Sequence, residues 1–173
     1  MKHLFFALAA MGIIAGIAQS QQPPEALPPA EAMSHMLGRW QGEGWRVAPG
    51  GDRQTFRITE TLTPQAGGQA VAITGIGETG PLDDPVIVHH AYAMIWREPD
   101  GSYRMRSVVS QGYTQEMAVE ISQTGYIWTL EAGPAVIRYE SAVEDGVWIE
   151  TGTQTLPSGE TRQIHEMRLE RAD

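Results

Sequence analysis

His165 is the residue of this sequence whose type and position are best suited to chemistry. It lies eight residues before the C-terminal Asp173 and alternates in phase with Met167 and Leu169. Because every second residue of a strand points to the same face, this phase predicts that the imidazole faces an apolar interior. A neutral imidazole in such a place suits either of two roles, an iron ligand or a hydrogen-bonded core residue.

A second histidine signal is the adjacent pair His89 and His90. Adjacent strand residues point to opposite faces, so the two rings are not placed to share one metal ion. His90 is in phase with Tyr92, and we include both in the predicted ligand-binding set. One histidine of the pair is expected to face the interior and to meet a carboxylate such as Glu60. A zinc site needs three or four convergent ligands, which no spacing in this sequence provides.

Glu60 alternates in phase with Phe56, Ile58 and Leu62, and is therefore predicted on an apolar face. A carboxylate in that position needs a partner. One hypothesis is an ion pair across strands with Arg104, Arg106 or Arg138, which would orient a polar ligand head. The alternative is that Glu60 lies at the rim of the fold in water.

Tryptophans and glycines dominate the segment 37–45, in which Trp40, Gly42 and Gly44 share one face. Glycine in a strand allows a sharp bend or the close approach of another group. Either Trp40 closes one end of the fold while the glycines let the strand curl, or the glycines make room for a ligand beside Trp40 or Trp45. The predicted ligand-binding residues are Trp40, Trp45, Glu60, His90, Tyr92, Trp128 and His165.

The elements that position these residues are predominantly strands. Nine clusters of turn-forming residues divide the chain after residue 38 into ten segments of period two. We place these strands at 39–47, 54–63, 69–77, 86–97, 102–110, 114–121, 126–131, 135–143, 147–155 and 161–171. Short connections make neighbours antiparallel, and closure into an up-and-down barrel removes exposed edges. A flat meander or a sandwich is the alternative.

One short helix precedes the strands. The residues 30–37 place Met33, Met36 and Leu37 on one helical face. The strand 86–96 is apolar on both faces, so we expect this helix to cover its outer face. The prediction is an all-β protein: a ten-stranded antiparallel up-and-down barrel with one short N-terminal helix.

The N-terminus has the pattern of a secretory signal peptide. A positive start at Lys2 precedes an apolar run from Leu4 to Ala18, and small residues flank a cleavage point after Ser20. The run is short for a bilayer span, although a retained anchor is the alternative. We predict a signal peptide over 1–20, a proline-rich linker over 21–29, and a barrel domain over 30–173. The protein is then periplasmic or secreted, with no membrane span in the mature chain.

Composition excludes several functional classes. The sequence has no cysteine, which excludes thiol catalysis and disulfides, and its formal net charge is −9. Lys2 is the only lysine, so the mature chain lacks the clustered basic residues that nucleic-acid binding requires. No nucleophile, phosphate-loop or dinucleotide motif is present, which favours a non-catalytic protein.

Three motifs together resemble a known family. They are the opening Leu37-Gly38-x-Trp40-x-Gly42-x-Gly44, the pair Gly67-Gly68, and the closing 166–171. They are similar to a lipocalin-like (calycin) bacterial β-barrel family of unknown function, itself distantly similar to the nitrobindin heme barrels. The resemblance implies a calycin-like barrel that holds a small apolar ligand or a heme. In the heme barrels a histidine of the last strand ligates the iron, and His165 lies in a comparable place.

These observations predict an exported barrel that binds a small apolar or amphipathic molecule without catalysis. One alternative is a heme-binding barrel with His165 as the axial ligand. Another is a filled barrel with a structural or partner-binding role. No cofactor is predicted outside the heme hypothesis, and protein partners are left open.

Overall fold

The fold is a closed barrel of ten antiparallel strands. A computed structural model describes residues 26–48 and 50–172. The strands in these ranges are β1 (Gly38–Val47), β2 (Arg53–Gln65), β3 (Ala70–Thr79), β4 (Val86–Arg97), β5 (Tyr103–Val109), β6 (Thr114–Ile121), β7 (Gly125–Ala132), β8 (Ala135–Glu144), β9 (Val147–Thr155) and β10 (Thr161–Arg171). Each strand pairs with the next along the chain, and β10 pairs with β1. The predicted all-β barrel is confirmed, and the open meander and the sandwich are not observed.

Turn chemistry explains why consecutive strands pair. Asp145 and Gly146 connect β8 to β9 with φ angles of 51° and 80°. Positive φ at both central residues is typical of the tight hairpin turn whose twist matches that of the flanking strands. At the β4–β5 connection Gly101 has a φ of 89°, and the Asp100 side chain accepts a hydrogen bond from the backbone N–H of Ser102. These sites are where the sequence predicts reversals.

Large apolar side chains close one end of the barrel. Trp40, Trp148 and Leu169 are fully buried there, and the two indoles meet edge to face with ring centroids 5.8 Å apart. The Trp40 indole N–H donates a hydrogen bond to the Met36 carbonyl at 2.8 Å. Trp40 therefore closes the barrel end, the first of the two roles considered for it.

The N-terminal helix is shorter than predicted and lies elsewhere. Helix α1 covers only Pro29–Ala32, and a short 3-10 turn covers Ala66–Gly68. After Ala32 the backbone continues in tighter turns, in which the Ser34 N–H donates to the Glu31 carbonyl and the Met36 N–H to the Met33 carbonyl. Met33 and Met36 are buried in the core at the closed end. The prediction that the helix covers the outer face of β4 is wrong.

The outer face of β4 is uncovered within the described part of the chain. The exposed apolar side chains on and beside it are Val86, Ile87, Tyr92, Met94 and Val108. The methionines of the N-terminal segment are fully buried at the barrel end instead of on this face.

The segment before α1 lies against the closed end. The carbonyls of Ala26 and Leu27 accept hydrogen bonds from Arg97 and from the Tyr103 hydroxyl, respectively. The predicted signal peptide over 1–20, its cleavage after Ser20, and residues 21–25 of the predicted linker lie outside the described residues. Among the described residues, no helix has both the length and the apolar character needed to cross a bilayer.

Strand β1 approaches β10 so closely at Gly42 that only glycine fits. A Cβ at this position would lie 2.1 Å from the Arg168 carbonyl oxygen, which is backbone and cannot move aside. We expect Gly42→Ala to lower the free energy of unfolding by at least about 1–3 kcal/mol, the usual cost of overpacking. Urea unfolding followed by tryptophan fluorescence measures this change.

The matched control is Gly50→Ala, because a Cβ at Gly50 would have its nearest atom 3.9 Å away. Equal urea midpoints for the two variants would contradict the close approach of β1 and β10.

Candidate functional site

The interior above Trp148 is a cavity of about 280 Å³. This volume lies near the lower end of the roughly 300–1,000 Å³ common for ligand pockets. The cavity extends from the tryptophan toward the barrel end at Val47 and Val109. Its apolar lining includes Phe56, Ile58, Ile73, Met105, Trp128 and Met167. Such a lining suits the apolar body of a small molecule.

Glu60 projects into this cavity from β2. The residue is only 8% exposed, and its carboxyl group makes no hydrogen bond to any described residue. It fills the space over Gly75, its neighbour on β3, where a Cβ would lie 2.4 Å from Oε1. Burial, and then the negative charge of Glu150, raise the pKa of Glu60 to about 8. The carboxyl is therefore mostly protonated at neutral pH.

Both predicted surroundings of Glu60 are wrong. The arginines proposed as partners lie on the outside of the barrel: Arg104 pairs with Glu116 at 3.1 Å, Arg138 pairs with Glu140 at 2.7 Å, and Arg106 is exposed. Glu60 does not lie at a wet rim either, because Ile58 and Leu62 on the same face are buried in the core. The arginines point outward because their positions have the opposite phase from Met105 and Tyr139.

Glu150 and His165 form a second polar group on the cavity wall. The Ser141 hydroxyl donates a hydrogen bond to Glu150 Oε2. His165 Nε2 lies 3.4 Å from Glu150 Oε1, within ion-pair distance but not aligned for a hydrogen bond. The imidazole lies between Phe56, with centroids 6.1 Å apart, and Tyr139, at 5.7 Å. The predicted inward orientation of His165 is confirmed.

Two β-bulges shape the other end of the cavity. The pairing of β3 with β4 skips Val88, and the pairing of β10 with β9 skips Ile164. A bulged residue is left out of the ladder. The Val88 carbonyl accepts a hydrogen bond at 2.9 Å from Arg46 Nη2, which reaches across from β1. Arg46 Nε donates to the Gln54 side chain at 3.1 Å.

Of the histidine pair, His89 lines the cavity. Burial, and then the positive charge of Arg46, lower its pKa below the ordinary histidine value. His89 is therefore a mostly neutral hydrogen-bonding group at neutral pH. His90 lies on the outer surface and is exposed.

Two tyrosines complete the polar wall. Tyr139 stacks on Trp128 with ring centroids 4.1 Å apart, as expected for residues directly opposite each other on β8 and β7. Burial and the charge of Glu150 raise the pKa of Tyr139 to about 12 and that of Tyr126 well above its ordinary value. Both are neutral phenols over the physiological range.

Three of the seven predicted ligand-binding residues meet in the cavity: Glu60, Trp128 and His165. The other four lie elsewhere. Trp40 is beneath the cavity, and Trp45 is on the other face of β1, where the Arg53 guanidinium lies 3.8 Å from its ring. His90 and Tyr92 point outward. Because β4 is apolar on both faces, hydrophobic alternation alone does not identify its inner face.

Several residues at the site were not among the ligand-binding residues predicted from the sequence. They are Arg46, Tyr139 and Glu150 among the cavity residues, with Ser141 beside them. Glu150 carried the same signal as Glu60, since it follows the buried Trp148 by two positions. Arg46 likewise continues the inward phase of Trp40, Gly42 and Gly44.

The arrangement does not fit a heme bound through His165 Nε2. That atom is buried and faces Glu150 rather than open space. For a metal ion bound directly by side chains, residues 26–48 and 50–172 contain no group of three His, Asp or Glu placed as ligands.

Comparison with solved structures places this architecture among known folds. Rv2717c from M. tuberculosis superimposes with a TM-score of 0.67 and 14% identity, over 86% of this chain and 100% of that one. The S-type phycobiliprotein lyase CPES from Guillardia theta gives a TM-score of 0.55 and 7% identity, over 85% and 94%. The chain has a calycin-like barrel fold. No protein-family model and no curated protein sequence matches it.

The buried Glu60 carboxyl makes stability depend on pH in a specific direction. Its pKa in the folded protein, about 8, exceeds the ordinary value of 4.5. The stabilisation that the protonated carboxyl gives the folded state is therefore complete below pH 4.5 and is lost as pH rises to about 8. We expect Glu60→Gln to match the wild type near pH 5 and to become more stable than it by up to about 1.4 kcal/mol per pH unit above that.

Chemical denaturation of both proteins from pH 5 to 9 measures this difference, in which the other titrating groups largely cancel. A difference that does not change with pH would contradict a buried, unpartnered carboxyl at position 60.

Proposed function

We propose that the barrel binds a small amphipathic molecule in its interior, with the apolar body in the cavity and the polar head at Glu60. The observation that carries this proposal is the Glu60 carboxyl, which is buried on an apolar wall with no hydrogen-bond partner in the described structure. Burying a polar group without a partner costs free energy. A ligand that hydrogen-bonds to Glu60 recovers this cost.

The distribution of polarity supports an amphipathic ligand. Apolar side chains of β2, β3, β5 and β10 form much of the cavity wall, and Glu60, Glu150 and His165 are interspersed among them. A few placed polar groups in a mostly apolar pocket are typical of small-molecule sites. One neighbour in fold is a phycobiliprotein lyase, which is compatible with ligand binding by barrels of this type.

The contacts favour binding over nucleophilic catalysis. Ser141 donates its hydrogen bond to Glu150 and not to His165, so the serine–histidine pairing typical of nucleophilic serine sites is not formed here. The cavity itself favours a binding barrel over a filled structural one.

We also propose export to the periplasm or outside the cell, which rests on the pattern of residues 1–20. A mature chain that begins at Gln21, measured by mass in those fractions, would support it.

Ligand binding is expected to require the cavity volume. N-phenyl-1-naphthylamine, a neutral apolar dye, should bind one to one with increased fluorescence. Ala91 lines the cavity, so Ala91→Phe fills part of it and should weaken dye binding by at least about tenfold, or 1.4 kcal/mol. Fluorescence titration measures both affinities.

The control is Ala118→Phe, which adds the same ring on the exposed face of β6. Equal dye affinity in both variants would show that the dye binds outside the barrel.

Hemin addition tests the heme alternative directly. Because His165 Nε2 is buried against Glu150, we expect the wild type and His165→Ala to give the same absorbance spectrum with hemin. A Soret band present in the wild type and absent in His165→Ala would instead establish His165 as an iron ligand.

A further inference from the structure

We propose that the cavity selects a cationic amphipath, an aliphatic amine whose ammonium head pairs with the Glu60 carboxylate. This inference rests on the proposed function and specifies the charge of the ligand. Its basis is the juxtaposition of two buried carboxyl groups and aromatic rings around one apolar cavity.

Glu60 is the acceptor available to a ligand. Its carboxyl occupies the space over Gly75, where the missing side chain leaves the group open to the cavity. Glu150, by contrast, already accepts from Ser141 and faces His165. An ammonium group donates up to three hydrogen bonds and accepts none. It therefore complements a carboxylate to which no described residue donates a hydrogen bond.

The electrostatic environment of Glu60 favours a positive head over a negative one. Burial first, and then the negative charge of Glu150, raise the pKa of Glu60, Tyr126 and Tyr139. Glu150 therefore places a negative charge beside Glu60. The titratable groups facing the cavity from the other strands are Arg46, His89, Tyr126, Tyr139, Glu150 and His165.

The one permanent cation among these groups is already committed. Arg46 donates from Nη2 to the Val88 carbonyl and from Nε to Gln54, at the end of the cavity away from Trp148. An anionic head would meet the negative charge of Glu150 on the wall and would compete with the Val88 carbonyl and Gln54 for Arg46. A cationic head meets Glu60 without breaking an existing contact.

Aromatic rings add to the preference. Phe56, Trp128 and Tyr139 all line the cavity, and the last two are stacked. The faces of such rings attract cations, most strongly when the cation is desolvated. The same rings contact an alkyl chain well, so one pocket accommodates both parts of the molecule.

Binding of an ammonium ion is linked to release of a proton. Glu60 is protonated at neutral pH in the free protein, and pairing with the ammonium favours the carboxylate, so its proton passes to solvent. Because a free amine group keeps its own proton up to about pH 10, binding should strengthen about tenfold between pH 7 and pH 9.

Isothermal titration calorimetry with three eight-carbon probes tests the inference: n-octylamine, octan-1-ol and octanoic acid. At pH 7 we expect the amine to bind most tightly and to release close to one proton, found by comparing phosphate and Tris buffers. Glu60→Gln should weaken amine binding by at least about tenfold and weaken octan-1-ol binding far less, because the glutamine amide still hydrogen-bonds to a hydroxyl. Glu120→Gln, which neutralises an exposed carboxylate on β6, should behave as the wild type.

The possible failures are distinguishable. If octan-1-ol binds as well as the amine, or octanoic acid binds better, the charge preference is overturned while interior binding stands. If none of the three probes binds, both proposals fail. If Glu60→Gln does not fold, the number of protons that the wild type releases on binding the amine tests the inference by itself. Amine binding without proton release overturns it.

Discussion

The burial of the Glu60 carboxyl inside a closed ring of strands is the constraint on which the rest of the site depends. A closed barrel has no edge, and inward positions beside its closed end are shielded from bulk water whether the side chain is apolar or not. Glu60 is inward because Phe56, Ile58 and Leu62 share its phase and form core. Its protonation near neutral pH and its lack of a partner follow from that position.

The two ends of the barrel have different roles. Trp40, Trp148 and the buried methionines of the N-terminal segment pack one end densely. At the other end the bulges at Val88 and Ile164 interrupt the ladders, and Arg46 uses the carbonyl that one of them frees. Dense packing at one end stabilises the fold, whereas the small side chain of Ala91 leaves space for a ligand and Gly75 makes room for the Glu60 carboxyl.

Period-two hydrophobicity was sufficient to predict ten strands, their closure and the inward direction of His165. It was insufficient for β4, because a strand that is apolar on both faces carries no phase, and His90 and Tyr92 were assigned to the wrong side. The helix was overestimated because its methionine spacing suits a helix, whereas the backbone leaves the helical path at Met33 and continues in turns that bury both methionines at the barrel end.

The polar site shows the same division. The inward position of Glu60 was predicted from its phase, but its surroundings were not predicted. Whether an arginine pairs with Glu60 depends on the direction in which arginines on other strands point. Glu150 was missed although its spacing from Trp148 carried the signal. Glu150 and His165 are diagonal neighbours on β9 and β10, and the bulge at Ile164 shifts their register relative to the connecting turn, which alternation does not reveal.

Nuclear magnetic resonance titration of the Glu60 side-chain carboxyl carbon tests the central claim most directly, because it observes the buried group itself in the free protein. A carboxyl that is desolvated and unpartnered should titrate near pH 8. A midpoint close to the ordinary glutamate value of about 4.3 would show that water or a cationic partner reaches Glu60. That result would contradict the claim that Glu60 is an unpartnered buried group able to bind the polar head of a ligand.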